Sequence, residues 1–103
     1  MTTRIIGIGS YVPDTVVTNK DLMEFLDTDD AWIRERTGIA RRHIAKEETT
    51  SWMAGQAAAR AVEQSGIAPE EIDMIIVATS SSETIYPCAA CEVQKEIGAV
   101  NAV

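Results

Sequence analysis

The sequence predicts an α/β fold, and two segments carry this prediction. Met74 to Thr79 is an unbroken apolar run rich in β-branched residues, which is typical of a strand covered on both faces in a parallel sheet. Residues 51–65 instead repeat small apolar side chains at helical spacing and stop at Gly66. A doubly covered strand needs neighbouring strands and helices on both faces. Because 103 residues supply few of these, we expect the chain to be part of a larger α/β protein.

The first segments are predicted as a strand, a loop and a helix. Arg4 to Gly9 is a short apolar run closed by glycine, which favours a buried strand, and residues 10–18 read as a loop with a turn at Pro13. Thr18, three residues before Asp21, is a capping-box start for a helix. Its apolar face would hold Leu22, Phe25 and Leu26.

A second short helix follows, with Thr28 or Asp29 as its N-cap and acidic residues at its positive end. It is predicted to end near Thr37, with Gly38 as the terminating residue. Residues 39–45 alternate weakly between apolar and polar side chains, which indicates an edge strand.

The longest helix is predicted over residues 51–65, capped by Thr49, Thr50 or Ser51. One face carries mostly small side chains, which predicts close approach to a neighbouring element: Met53, Ala57, Ala61 and Ser65. Pro69 opens a short turn. Pro87 is predicted as an early position of a last helix that ends before Gly98, and residues 101–103 look like the start of a strand.

Composition excludes several classes of protein. The formal net charge is −7, which argues against generic binding of nucleic acid. No window approaches the roughly 18 consecutive apolar residues of a membrane span. The N-terminal residues are too few and too polar for a secretory signal, and two cysteines without such a signal fit a reducing, cytoplasmic setting.

One window departs from the acidic character of the chain. Residues 34–46 contain five of the nine basic residues and only one acid, Glu35. Trp32 stands beside this window, and Arg36 follows it at the four-residue spacing that places two side chains on one face of a helix. An aromatic ring beside a guanidinium suits a planar, phosphorylated ligand, and Thr28 adds a hydroxyl four residues before the ring. The alternative is a half-buried tryptophan covered by the arginine stem.

Three other motifs are weaker. G-x-G at Gly7 and Gly9 lacks the third glycine of a dinucleotide site, because that position is Val12, so a tight turn is favoured. His43, the only histidine, has no evident catalytic partner and is predicted to be structural or on the surface.

Cys88 and Cys91 form C-A-A-C at a helix start, and in redox motifs this spacing and the helix dipole lower the pKa of a thiol. The favoured interpretation is two small, buried side chains packed on one helix face, and a redox pair is the alternative. A metal site is not expected, because further ligands are absent.

The segments IIGIGSYVP, DAWIRERTGI, RRHIA, IIVAT and YPCAACEVQKEIGA, in this order, resemble β-ketoacyl-acyl-carrier-protein synthase III, a thiolase-fold condensing enzyme. The resemblance covers essentially all residues and is most specific in the W-I-x-x-R-T-G-I run. It implies that residues 1–103 are the N-terminal portion of the first half of a layered αβαβα fold. It also implies a homodimer with no tightly bound cofactor and no metal.

The resemblance further implies a function. Such enzymes condense an acyl-coenzyme A, usually acetyl-coenzyme A, with malonyl-acyl-carrier protein to start fatty-acid synthesis. Trp32 would stack on the adenine of coenzyme A, Thr28 would contact that base, Arg36 would lie at the phosphate-bearing end and Thr37 by the channel mouth. Tyr86 would lie at the dimer interface and reach into the partner's acyl pocket.

The resemblance places the nucleophilic cysteine, the catalytic histidine and the asparagine after Val103, so neither Cys88, Cys91 nor His43 is expected to be catalytic. The 103-residue chain alone is therefore predicted to be inactive. Two alternatives remain open: a non-enzymatic redox or binding module that uses Cys88 and Cys91, and a related condensing enzyme of secondary metabolism.

Overall fold

A computed structural model describes residues 1–103 and divides them into two compact units. One unit comprises Met1–Tyr11 with Glu48–Val103, and the other comprises Val12–Glu47.

In the smaller unit, a two-stranded antiparallel ladder joins β1 (Val16–Thr18) to β2 (Arg41–His43). Val16 pairs with His43 and Thr18 with Arg41. The strand β2 confirms the predicted edge strand. The predicted loop over residues 10–18 is wrong at its end, because the β-branched residues Val16 and Val17 find a backbone partner in β2, which lies far along the sequence.

Helix α1 (Asn19–Met23) begins at the predicted capping box: the Thr18 hydroxyl accepts from the Asp21 N–H, and the Asp21 carboxylate accepts from the Thr18 N–H. The helix is shorter than predicted. Its last turn tightens, since the N–H of Phe25 donates to Leu22 three residues back. Phe25 and Leu26 therefore lie beyond the helix, with exposed fractions of 70% and 50%, and the predicted apolar face does not form.

Helix α2 (Asp30–Thr37) begins and ends as predicted. Asp29 is its N-cap, and Gly38 ends it with a φ of 73°, in the left-handed region that favours glycine. The side chain that α2 buries is that of Ile33.

In the larger unit, α3 (Thr50–Ser65) has Thr49 as its N-cap and Gly66 at its C-terminus, which confirms the predicted helix. A single 3₁₀ turn covers Pro69–Glu71, and α4 (Ala89–Ile97) ends at Gly98. Cys88 is the N-cap of α4, so Pro87 precedes this helix instead of lying within it. α3 and α4 pack together, and the side chain of Glu96 lies against Gly55.

The small-residue face of α3 receives the segment Arg4–Gly9. A Cβ on Gly9 would meet the carbonyl oxygen of Ala57, and one on Gly7 would meet that of Ala61. The predicted close approach is therefore confirmed, and it explains G-x-G as a place where two backbones meet. The predicted buried strand is wrong here: residues 4–9 join no ladder, and Ile5 and Ile8 are 82% and 70% exposed. One helix covers one side of an extended segment and leaves its edges unpaired.

Met74–Thr79 is likewise not a buried strand within this chain, since Met74 and Ile76 are 62% and 83% exposed. The last residue bonds to this segment and to the residue before it: Ile75 N–H donates to the Val103 carbonyl, and Val103 N–H donates to the Asp73 carbonyl. This alternation is the pattern of parallel strands. It agrees with the prediction that residues 101–103 start a strand, and it shows Met74–Thr79 as the neighbour, which was not predicted.

No helix in the chain combines the length and apolar character that spanning a bilayer requires.

Candidate functional site

Trp32 and Arg36 lie together on one face of α2, as their spacing predicts. The N-cap side chain of Asp29 accepts a hydrogen bond of 2.7 Å from the Trp32 N–H and fixes the start of the helix. The guanidinium carbon of Arg36 lies 5.5 Å from the centroid of the Trp32 ring, within the range of a cation–π contact. Trp32 is still 53% exposed, so the ring is available to a ligand.

A cavity of about 220 Å³ lies beside Trp32 and is lined by Asp27, Thr28, Asp29 and Trp32. The hydroxyl oxygen of Thr28 is buried and has no hydrogen-bond partner among the protein atoms. An unpaired buried hydroxyl costs about 1–3 kcal/mol, so it is a natural partner for a ligand once the side chain rotates about its Cα–Cβ bond. Thr28 and Trp32 are thus brought to one cavity.

The opposite face of α2 makes hydrogen bonds within the small unit. Asn19, 1% exposed, donates to Asp30 and to the carbonyl of Ile39, and it accepts from the Arg42 guanidinium at 2.7 Å. Asp30 also accepts from the Nε of Arg34 at 2.9 Å. The hydrogen bond from Asn19 and that from Arg34 lower the pKa of Asp30 below its ordinary value. Arg42 therefore joins β2 to α1, whereas Arg34 pairs with Asp30 within α2, and the basic window revealed neither contact.

A larger cavity of about 480 Å³ lies on this same face of the small unit. Three of its lining residues are basic, namely Lys20, Arg34 and Arg41, and Asp30 contributes a carboxylate. Trp32 and Arg34 are about 200° apart around the helix, so this cavity does not adjoin the tryptophan face. Sequence reasoning missed it, because Lys20 and Arg41 come together only through the pairing of β1 with β2.

Thr37 is not brought next to Trp32. The two residues are about 140° apart around α2. The Thr37 hydroxyl donates to the Ile33 carbonyl at 2.7 Å and accepts from the Ile39 N–H at 3.1 Å. Its hydroxyl is already engaged in ending the helix.

The Nδ1 of His43 lies 2.6 Å from the carbonyl oxygen of Pro13, so Nδ1 carries the proton and donates. His43 is otherwise exposed on β2 and ties the residues before β1 to this strand. This agrees with the predicted structural or surface role.

Tyr86 lies in the loop before α4 and is 93% exposed. Glu83 anchors this loop to α3: its carboxylate accepts from the backbone N–H of Ser51 at 3.0 Å and from the Ser51 hydroxyl at 2.6 Å. The bond from the Ser51 side chain lowers the pKa of Glu83. Tyr86 is thus presented outward from a loop with a fixed base.

Both cysteines are exposed free thiols. The interpretation of Cys88 and Cys91 as small side chains buried by packing is therefore wrong for this chain: Cys88 precedes α4, and Ala89 and Val93 are the side chains that this helix buries.

The sequence of this chain is similar to the sequences of named enzymes. A β-ketoacyl-[acyl-carrier-protein] synthase III of Clostridium acetobutylicum is 54% identical over 99 residues, which are 96% of this chain and 30% of that enzyme. An enzyme of the same name from Bacillus anthracis is 50% identical over 103 residues, covering 99% of this chain and 33% of the relative. The chain therefore spans about a third of the length of the curated relatives it matches. No family model matches it.

Solved structures give the same result. The crystal structure of 3-oxoacyl-[acyl-carrier-protein] synthase III from Aquifex aeolicus VF5 superposes with a TM-score of 0.94 at 48% identity, over 98% of this chain and 33% of that one. The priming β-ketosynthase of the R1128 polyketide pathway gives 0.92 at 39% identity, over 97% and 30%. The chain thus corresponds, in sequence and in its thiolase-like fold, to the N-terminal portion of the β-ketoacyl-[acyl-carrier-protein] synthase III family.

Proposed function

We propose that this chain forms part of a β-ketoacyl-acyl-carrier-protein synthase III, which condenses an acyl-coenzyme A, acetyl-coenzyme A first of all, with malonyl-acyl-carrier protein to start fatty-acid synthesis. The observation that carries the proposal is 54% identity over 96% of the chain to an enzyme of that name. The exposed Trp32, with Arg36 beside it, supplies the physical support within the chain itself.

The role proposed for this chain is to hold the adenine end of coenzyme A. The indole of Trp32 is 53% exposed and Arg36 lies over one of its faces, so we propose that the other face receives the planar base. Stacking alone does not distinguish adenine from other bases. The cavity beside the ring adds hydrogen-bond acceptors that suit the adenine amino group. These are the Thr28 hydroxyl and the carboxylates of Asp27 and Asp29.

Charge then sets the orientation of the ligand. The two carboxylates that line the cavity repel phosphate, whereas the Arg36 guanidinium attracts it. The base therefore occupies the cavity and the phosphates extend past Arg36. Thr37 directly follows Arg36 in α2, and we propose that it borders the channel mouth through its backbone and methyl group, since its hydroxyl is bonded to Ile33 and Ile39.

The chemistry is proposed for the complete enzyme. A cysteine thiolate attacks the thioester carbon of the acyl-coenzyme A and releases coenzyme A. Malonyl-carrier protein then loses carbon dioxide, and the resulting carbanion attacks the acyl-enzyme, which forms the new carbon–carbon bond and frees the thiolate. An oxyanion hole, a histidine and an asparagine stabilise the charges that develop. We place all these groups outside residues 1–103.

We further propose a cytoplasmic homodimer in which Tyr86 contributes to the acyl pocket of the partner. An aromatic ring that is 93% exposed on a loop anchored by Glu83 is well placed to enter a neighbouring subunit. No tightly bound cofactor is required, because coenzyme A enters as part of the substrate.

The test is an assay of the complete polypeptide that contains this chain, with acetyl-coenzyme A and malonyl-acyl-carrier protein. Release of free coenzyme A together with 3-oxoacyl-carrier protein is expected. Residues 1–103 assayed alone should give neither product. Turnover by residues 1–103 alone would refute the placement of the catalytic groups, and no condensation by the complete polypeptide would refute the function.

A second candidate is a priming synthase of polyketide formation, favoured by the 0.92 TM-score to such an enzyme. Parallel assays with a fatty-acid carrier protein and a polyketide carrier protein separate the two, since each enzyme should prefer its own partner in kcat/KM.

A further inference from the structure

Cys88 and Cys91 are placed to react with each other. Cys88 is the N-cap of α4 and Cys91 lies in its first turn, so the three-residue spacing sets both side chains on one face. Their sulfur atoms are 3.5 Å apart and both residues are exposed. A disulfide requires a sulfur separation of about 2.05 Å, so the two sulfur atoms must still approach each other for the bond to form.

The two thiols are not equivalent. The pKa of Cys88 is lowered, because the backbone N–H of Cys91 and the Cys91 thiol stabilise a thiolate at the positive end of α4. The pKa of Cys91 is raised by the adjacent Cys88 sulfur, and the carboxylate of Glu92 acts in the same direction. Cys88 is thus the thiol that more readily forms the attacking thiolate, and Cys91 is the thiol that stays protonated at the first step.

We propose that Cys88 and Cys91 form a redox-active dithiol that exchanges with low-molecular-weight disulfides. The Cys88 thiolate attacks one sulfur of the small disulfide, breaks its S–S bond and expels one thiolate. Cys91 then loses its proton and attacks the Cys88 sulfur, which expels the second thiolate and closes the Cys88–Cys91 disulfide. The two cysteines lose two electrons, the small disulfide gains them, and the two expelled thiolates take up the two protons.

This inference does not rest on the proposed function. It involves neither coenzyme A nor acyl transfer, and the two cysteines have no role in the condensation described above. Within residues 1–103, both cysteines are exposed free thiols.

The complete polypeptide that contains this chain should be incubated with oxidised glutathione, quenched with N-ethylmaleimide and digested with trypsin. Residues 61–95 contain no internal lysine or arginine, so a single tryptic peptide carries both cysteines and reports on the pair by mass. We expect this peptide to lose two hydrogens and to retain no glutathione.

Two matched variants separate the roles of the thiols. Cys91→Ser should trap one glutathione on Cys88, because the resolving thiol is absent. Cys88→Ser should form its mixed disulfide more slowly than Cys91→Ser by roughly threefold or more, since a larger thiolate fraction outweighs the accompanying fall in nucleophilicity. Both replacements are small and at exposed positions, and circular dichroism checks that each variant keeps its helices.

Two results would overturn the proposal. One is a wild-type peptide that carries two glutathiones, or that stays fully reduced where Cys91→Ser is modified. The other is an equal rate of mixed-disulfide formation in the two variants, which would show that Cys88 is not the more reactive thiol.

Discussion

Replacing Trp32 by alanine tests whether the ring on α2 holds the adenine of coenzyme A. Trp32 is 53% exposed, and the guanidinium carbon of Arg36 lies 5.5 Å from the centroid of its ring. An exposed cation–π contact is worth about 0.5–1 kcal/mol, so the variant should lose little stability. Loss of a base–aromatic stack costs about 1–3 kcal/mol, which corresponds to a rise of roughly 5- to 150-fold in the dissociation constant.

Two substrates separate this effect from general damage. In the complete enzyme, Trp32→Ala should lower kcat/KM for acetyl-coenzyme A by that factor. It should leave kcat/KM for acetyl-pantetheine unchanged, because this substrate lacks the adenine nucleotide. Trp32→Phe should recover part of the loss, since a smaller aromatic ring still stacks.

Trp52 on α3 provides a matched control, because it is 42% exposed and contacts an aromatic ring instead of an arginine. Its ring lies 5.1 Å from that of Tyr11 in an edge-to-face arrangement. Trp52→Ala should therefore lower Tm, with a loss of about 0.5–1.5 kcal/mol from the ring pair, and leave coenzyme A affinity unchanged.

An equal fall in kcat/KM for both substrates in Trp32→Ala, or no fall for either, would show that the base binds elsewhere.

Three further predictions concern the larger unit. Tyr86→Ala should raise kcat/KM for butyryl- and isobutyryl-coenzyme A relative to acetyl-coenzyme A, because a large ring no longer fills the acyl pocket; an unchanged ratio with a lower Tm would make Tyr86 merely structural. Gly9→Ala should destabilise the fold by about 1–3 kcal/mol in urea unfolding, since the new methyl meets the Ala57 carbonyl, whereas Gly9→Ala without such a loss would contradict the close approach. Glu83→Gln should lower Tm at neutral pH; because the folded pKa of Glu83 is depressed below its ordinary 4.5, this Tm difference should narrow as pH falls below 4.5, and a difference independent of pH would refute the role of the carboxylate.

The sequence by itself determined the local features of this chain. The sequence predicted the capping box of Thr18 with Asp21 and the glycines that end α2, α3 and α4, because caps depend on residues within one turn of each other. It narrowed the N-cap of α2 to Thr28 or Asp29 and that of α3 to three neighbouring residues, of which the structure selects Asp29 and Thr49. The pairing of Trp32 with Arg36 was predictable for the same reason, since four residues on a helix fix their relative direction.

Only the tertiary structure decided what depends on distant residues. Val16–Thr18 was predicted as a loop because its partner strand, Arg41–His43, lies far along the sequence. The basic window likewise gave no sign that Arg34 pairs with Asp30 or that Arg42 bonds to Asn19. Met74–Thr79 shows the opposite case: its apolar pattern specifies a doubly covered strand, but within these residues only Val103 bonds to its backbone edge. A hydrophobic pattern records what a segment buries, whereas pairing and burial themselves depend on which distant segments reach it.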